Sequence, residues 1–167
     1  PRIAEPLPFP EGEKLVYQVR YSKFIISTVV GKITFTFSRS QEKPLTKYYL
    51  IRADVVSEGI LMALLGIQVE DVFESFIDPG GFGVVRTRKN LFEGRTRSFQ
   101  LAVFDRENEK VTYIVRDLSK PGERPKVGEY ATRPWVQDMV SGTYYVRTQP
   151  ITPGQSIRFP LSDEGET

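Results

Sequence analysis

The acid–base chemistry open to this sequence rests on carboxylates. It holds neither histidine nor cysteine, so Ser-His-Asp catalysis, thiolate chemistry, disulfides and zinc sites of the usual ligand types are closed to the chain acting alone. The stretch EDVFES puts Glu70 and Glu74 on one face of a strand and Asp71 on the other. A glycosidase needs two carboxyls facing one cleft, ~5–10 Å apart. Residues four apart along a strand stand ~13 Å apart, so a third carboxylate has to complete the pair. Asp138, on a helix-like segment, is the candidate. One reading is therefore a glycan-acting envelope enzyme that uses Glu70, Glu74 or Asp138. Nothing in the spacing selects these three, and no catalytic residue is assigned. Asp138 has a plainer role at a helix start, facing the dipole or bonding Arg147 or a backbone amide. DEGE near the end lacks the ligand spacing of a calcium loop, and neither a metal nor a cofactor is expected.

A basic ladder is the second feature. Arg86, Arg88 and Lys89 precede the tip NLFEG, and Arg95 and Arg97 follow it. In a hairpin, Arg86 and Arg88 share a face, as do Arg95 and Arg97. Arginine forks suit phosphate, sulfate or a lipid head group. The same residues equally suit a solvated face paired across strands with Glu70, Asp71 and Glu74. Phe92 at the tip is placed to cap an apolar edge. Aromatic residues are not interleaved with the basic ones as a stacking platform requires, so nucleic acid is not an expected partner.

The elements that position these side chains are mostly strands. KLVYQVRY alternates, with Leu15, Tyr17, Val19 and Tyr21 on one face. STVVGKITFTFSRS follows, and its alternation slips at Gly31, where a bulge is expected. TKYYLIRADVVS, VEDVFESFIDPGG, FGVVRTRKN, GRTRSFQLAVFD and KVTYIVRD continue the series with short turns between them. The fold class read here is all-β, mainly antiparallel. A curved meander sheet closes toward a barrel or half-barrel, with one short helix in the C-terminal half. That helix is expected over Trp135–Tyr145, with Pro150 and Pro153 ending it. The polar crossing SKPGERPKVGEYATRP is expected to be a surface loop, and QSIRFPLSDEGET an eighth strand. Residues 1–10, with four prolines, form an extended, loosely held segment; 11–167 form a single β-rich domain that stops short at its C-terminus.

An amphipathic helix is a way to plug the mouth of a curved sheet, and Trp135, Met139 and Tyr144 are the expected plug. GILMALLGI, Gly59 to Ile67, is far shorter than the ~20 residues that span a bilayer. Its leucines Leu61, Leu64 and Leu65 fit a lid over an apolar cavity, a membrane or partner contact, or a helix buried on the concave side.

Of the 167 residues, 40% are apolar and 12% aromatic, enough for a core in one domain. The net charge of +2 supplies no overall field to gather nucleic acid or an anionic membrane, though a local patch can.

DMVSGTYYVRTQPITPGQSIRFPLSDEG resembles the hallmark of bacterial exported proteins grouped as domain of unknown function 3108. The matching elements are Asp138, Tyr144, Tyr145, Val146, Arg147, Pro153, Gly154, Phe159, Pro160 and Asp163. FPEGEKLVYQVRY and the stretch from Val72 to Asp105 are similar to its first and central strands. The resemblance implies an exported, periplasmic β-rich protein and carries no catalytic residues over. The proline-rich opening PRIAEPLPFPEGE, which lacks an initiator methionine, reads as a mature N-terminus with its signal peptide removed, or as an arbitrary start. It also implies further strands beyond the acidic turn, so an open edge is expected here. The reading is a non-catalytic exported domain that binds an amphipathic cell-envelope molecule, a lipid or glycolipid, or a partner protein. Trp135, Met139, Tyr144, Leu61, Leu64 and Leu65 are expected to line the site, with Arg86, Arg88, Arg95 and Arg97 outside it. The alternative to both this and the enzyme is a structural module that pairs through its open edge with a C-terminal fragment or another chain.

Overall fold

The computed structural model describes residues 6–24 and 26–162. Eight strands follow one another in space as they do in sequence: β1 (Lys14–Lys23), β2 (Ile26–Arg39), β3 (Tyr49–Ser57), β4 (Glu70–Ile77), β5 (Val84–Glu93), β6 (Thr96–Asp105), β7 (Lys110–Asp117) and β8 (Lys126–Ala131). Each pairs antiparallel with its neighbours. No ladder joins β8 to β1 among the described residues, so the sheet is an open, curved meander. Short helices lie at Ile60–Leu65 (α1) and Met139–Arg147 (α2). The expected bulge is present: Val30, beside Gly31, is the extra residue opposite Val19 and Arg20.

Opposed residues of an antiparallel pair share a face, which sorts the sheet into two sides. One inner row runs Leu15, Phe35, Ala53, Phe73, Lys89, Gln100, Val115 and Lys126. The next runs Phe37, Ile51, Ser75, Thr87, Ala102, Tyr113 and Gly128. The inner face is thus greasy over β2–β4 and turns polar over β5 and β6. α2 packs against this face over β3 and β4. The core lies toward the β4–β5 turn, where Phe37, Ile51, Ile77, Phe82, Val84 and Val111 are at most 1% exposed. Each such side chain contributes ~1.5–3 kcal/mol by burial. Phe9, read as part of a loose leader, joins this core edge-on to Phe37 and Tyr144.

Three expectations need correction. The crossing read as loop contains β8: KVGEYA pairs with β7, its flanking prolines lie outside the ladder, and Gly128 leaves room for the Tyr113 ring against its backbone. The stretch after Gln155 is not a strand within the described residues. It meets the sheet's contents by one parallel bridge, Gln137 with Leu161. Asp163 and the acidic tail lie outside the described residues. Finally, the helix begins at Met139 and not at Trp135. Trp135 is left-handed, with φ of 63°, and Gln137 is held extended by that bridge.

α1 departs from both buried readings. None of its residues is buried, and Ile60 and Leu64 are 77% and 79% exposed. Gly59, at φ of 96°, passes so close to the Val29 carbonyl that a Cβ would collide with it. The chain turns there onto the end of the sheet, away from its concave side.

Candidate functional site

α2 owes its start to Asp138. The Asp138 Oδ1 accepts from the Ser141 amide at 2.6 Å, and Ser141 Oγ accepts from the Asp138 amide at 2.9 Å. This reciprocal cap satisfies two backbone donors that the helix itself cannot. The other carboxylate oxygen accepts from Ser75 Oγ of β4 at 2.5 Å, the short end for a hydroxyl on a carboxylate. Asp138 therefore fixes the helix to the sheet. At the other end Arg147 donates to both Glu13 oxygens, at 2.6 and 2.8 Å. The same guanidinium lies over the rings of Phe9 and Tyr144. Glu13 is held below its ordinary value, first by the Arg147 hydrogen bond and against the pull of burial. Tyr144 is pushed up to about 12, chiefly by burial and then by the Glu13 charge.

Between these anchors the helix does not fill the concavity. A hollow of about 380 Å³ lies on its β2–β5 side, lined by Phe35, Val55, Phe73, Leu91, Val140 and Thr143 among others. A second, of about 270 Å³, lies on the β5–β8 side, with Gln100, Tyr113, Val115, Lys126 and Tyr130 in its wall. Thr87, Lys89 and Asp138 border both. The interior is thus packed at the β4–β5 turn and hollow toward the other end. Both hollows are walled mainly by apolar surface, and a lysine and a carboxylate stand where they meet.

The expected site residues fall in several places. Met139 stands at the mouth of the larger hollow, 63% exposed, and Arg88 also borders it. Tyr144 is 1% exposed and packs in the core. Trp135 lines neither hollow. Its indole covers Gly81 and Gly83 of the β4–β5 turn, with Arg106 stacked over the ring and paired to Asp78. Leu61, Leu64 and Leu65 sit on α1, apart from both hollows. Arg86 and Arg88 pair with Glu42, and Arg88 also with Glu74. Arg52 joins Glu74 from β3. Arg97 lies over Phe92, and Arg95 is exposed in the β5–β6 turn.

A sequence family described as "protein of unknown function (DUF3108)" matches residues 16–167. The chain belongs to this family. No curated protein and no solved structure matches it. In this DUF3108 domain two of the three weighed carboxylates, Glu74 and Asp138, border the larger hollow and Glu70 does not. Both are committed elsewhere: Glu74 is paired to Arg52 and Arg88, and Asp138 caps α2 and accepts from Ser75. Among the described residues no cluster of acidic groups is arranged to hold a metal ion. The hollows' walls were not legible because they are assembled from residues of several strands, and no one strand's pattern shows which of its neighbours' residues stand beside its own. Carrying the alternation of β4 into β5 would have put Phe73 beside Lys89 on the inner side.

Proposed function

We propose that this domain binds a small amphipathic molecule of the cell envelope, a lipid or glycolipid, and performs no chemistry on it. The carrying observation is the divided concavity. One lobe is walled by Phe35, Val55, Phe73 and Leu91, the other by Gln100, Tyr113 and Tyr130, with Lys89 between them. Both lobes are walled mainly by apolar side chains, the second with a larger polar share, so an acyl chain suits the first and the ligand's less apolar end the second. The larger lobe falls within the ~300–1,000 Å³ usual for small-molecule sites. An exported, periplasmic setting belongs to this reading, because such ligands are made and moved there.

Displacement of a fluorescent fatty-acid analogue by envelope lipid extract tests it. The wild type is expected to bind the probe and release it to the extract. Thr143→Trp, an exposed helix position on the lobe's wall, should fill the space and weaken binding about tenfold or more with the far-ultraviolet spectrum unchanged. A wild type that takes up no probe, or a Thr143→Trp variant that binds as well, defeats the proposal.

A second reading draws on β1. This ten-residue strand lies at the sheet's edge and exposes Val16, Tyr17 and Tyr21 by 46–54%. A long apolar edge is a template for strand addition. Amide protection of β1 that appears only on adding a second chain supports it; an edge left unprotected by any partner does not.

A further inference from the structure

The end of the sheet opposite the packed core gathers four turns. α1 is tied to β2 by the Glu58 amide on the Val30 carbonyl. The loop after α1 receives the Gly94 amide on the Gln68 carbonyl, which brings in the β5–β6 turn. Ser119, from the β7–β8 connection, donates to the Arg95 carbonyl and accepts the Arg97 amide. The β1–β2 tip points the same way, since Val29 lies against Gly59.

This rim carries bulky apolar side chains on its outside. Phe24 is 97% exposed and Leu65 61%, beside the exposed Ile60 and Leu64. A soluble surface seldom gathers such residues without a partner. The rim also carries unmatched positive charge. Lys23, Arg95, Arg97, Arg124 and Lys126 form no ion pair among the described residues. Among its acids, Glu58 pairs with Lys32, and Asp117 and Glu123 share Lys120, while Glu70, Asp71 and Glu93 have no ion pair among the described residues, Glu70 and Asp71 accepting only from uncharged amides. Cations without an ion pair thus outnumber such acids where the greasy side chains protrude.

We infer that this rim docks on an anionic lipid bilayer. Phe24, Ile60, Leu64 and Leu65 enter the interfacial layer, and Arg95, Arg97 and Arg124 lie over the head-group phosphates. The combination of protruding apolar residues with a basic surround is what interfacial binding takes. A protein partner of the same size would bring carboxylates to this rim but would need a complementary pocket for each of these convex side chains; a fluid interface does not. Leu91 and Glu93 of the rim's strands also border the larger hollow, so the docked rim lies beside it. Docking itself does not require the hollow to be filled.

Flotation of the full chain with phosphatidylcholine vesicles, with and without phosphatidylglycerol, tests the inference. The chain is expected to float with the anionic vesicles and to be released by salt. Leu64→Asp/Leu65→Asp should lower the partitioning about tenfold or more, and Arg95→Glu/Arg97→Glu about fivefold per site. These positions are exposed, and an unchanged thermal melt certifies the fold. Thr143→Trp, which blocks the hollow, should float like the wild type, so failure of ligand binding and failure of docking are separable. A wild type that stays at the bottom of the gradient overturns the inference. So do rim variants that float undiminished, or a dimer in solution that the rim variants dissolve.

Discussion

Two side chains far apart in sequence set the balance around α2. Glu13 and Arg147 are 134 residues apart, yet they close a two-point ion pair over Phe9 and Tyr144. Because Glu13 is depressed from 4.5 by Arg147, its contribution is complete above that value and fades as pH falls below it. Glu13→Gln should cost ~1.5–3 kcal/mol near neutrality and flatten the acid limb of stability, read from urea midpoints across an acid series. Tyr144 works in the opposite direction. Its folded value near 12 lies above the ordinary 10.0, so its contribution holds below about 10 and is lost as pH climbs toward 12. Tyr144→Phe should remove part of the alkaline loss of stability, followed by circular dichroism. In the sequence Arg147 was visible as a partner for Asp138 on its own helix. Its actual partner was not, because proximity in a meander depends on how far the sheet curls.

At the scale of elements, α2 is a short helix held by its ends. Its interior includes Gly142, a weak helix former by ~1 kcal/mol. A Cβ at this position would stand 3.3 Å from the Phe159 ring, closer than ordinary packing. The cap has to compensate. Asp138→Ala removes it, at ~0.5–2 kcal/mol, and strands the buried Ser75 hydroxyl, at ~1–3 kcal/mol more. Asp138→Asn keeps an acceptor on the same atom and should lose much less; chemical denaturation of the pair separates cap from charge. The strands were legible because alternation is local, and a two-residue repeat of in and out is visible without a partner. The helix start was misplaced by four residues. Trp135 falls at helical spacing from Met139, but its backbone is left-handed so that the indole can cover Gly81 and Gly83. β8 was hidden among prolines that in fact flank it.

For the whole molecule, the open meander predicts a graded opening. Native-state hydrogen exchange should find β3, β4 and β5 slowest, since they carry the core and the helix, and β1 and β8 fastest, since each has one neighbour. Equal protection across all eight strands would mean that the edges are covered in solution. The sequence by itself determined the succession of the first seven strands, the antiparallel class, the absence of thiol and imidazole side chains, and one helix near Asp138, since each follows from residue type and short-range period. Only the tertiary structure decided which faces turn inward together. Register put Phe73, Lys89 and Gln100 in one row across the inner face, paired Glu74 with Arg52 and Arg88, and set α1 on the rim. Those choices depend on register and twist summed over eight strands, and no single segment carries that sum.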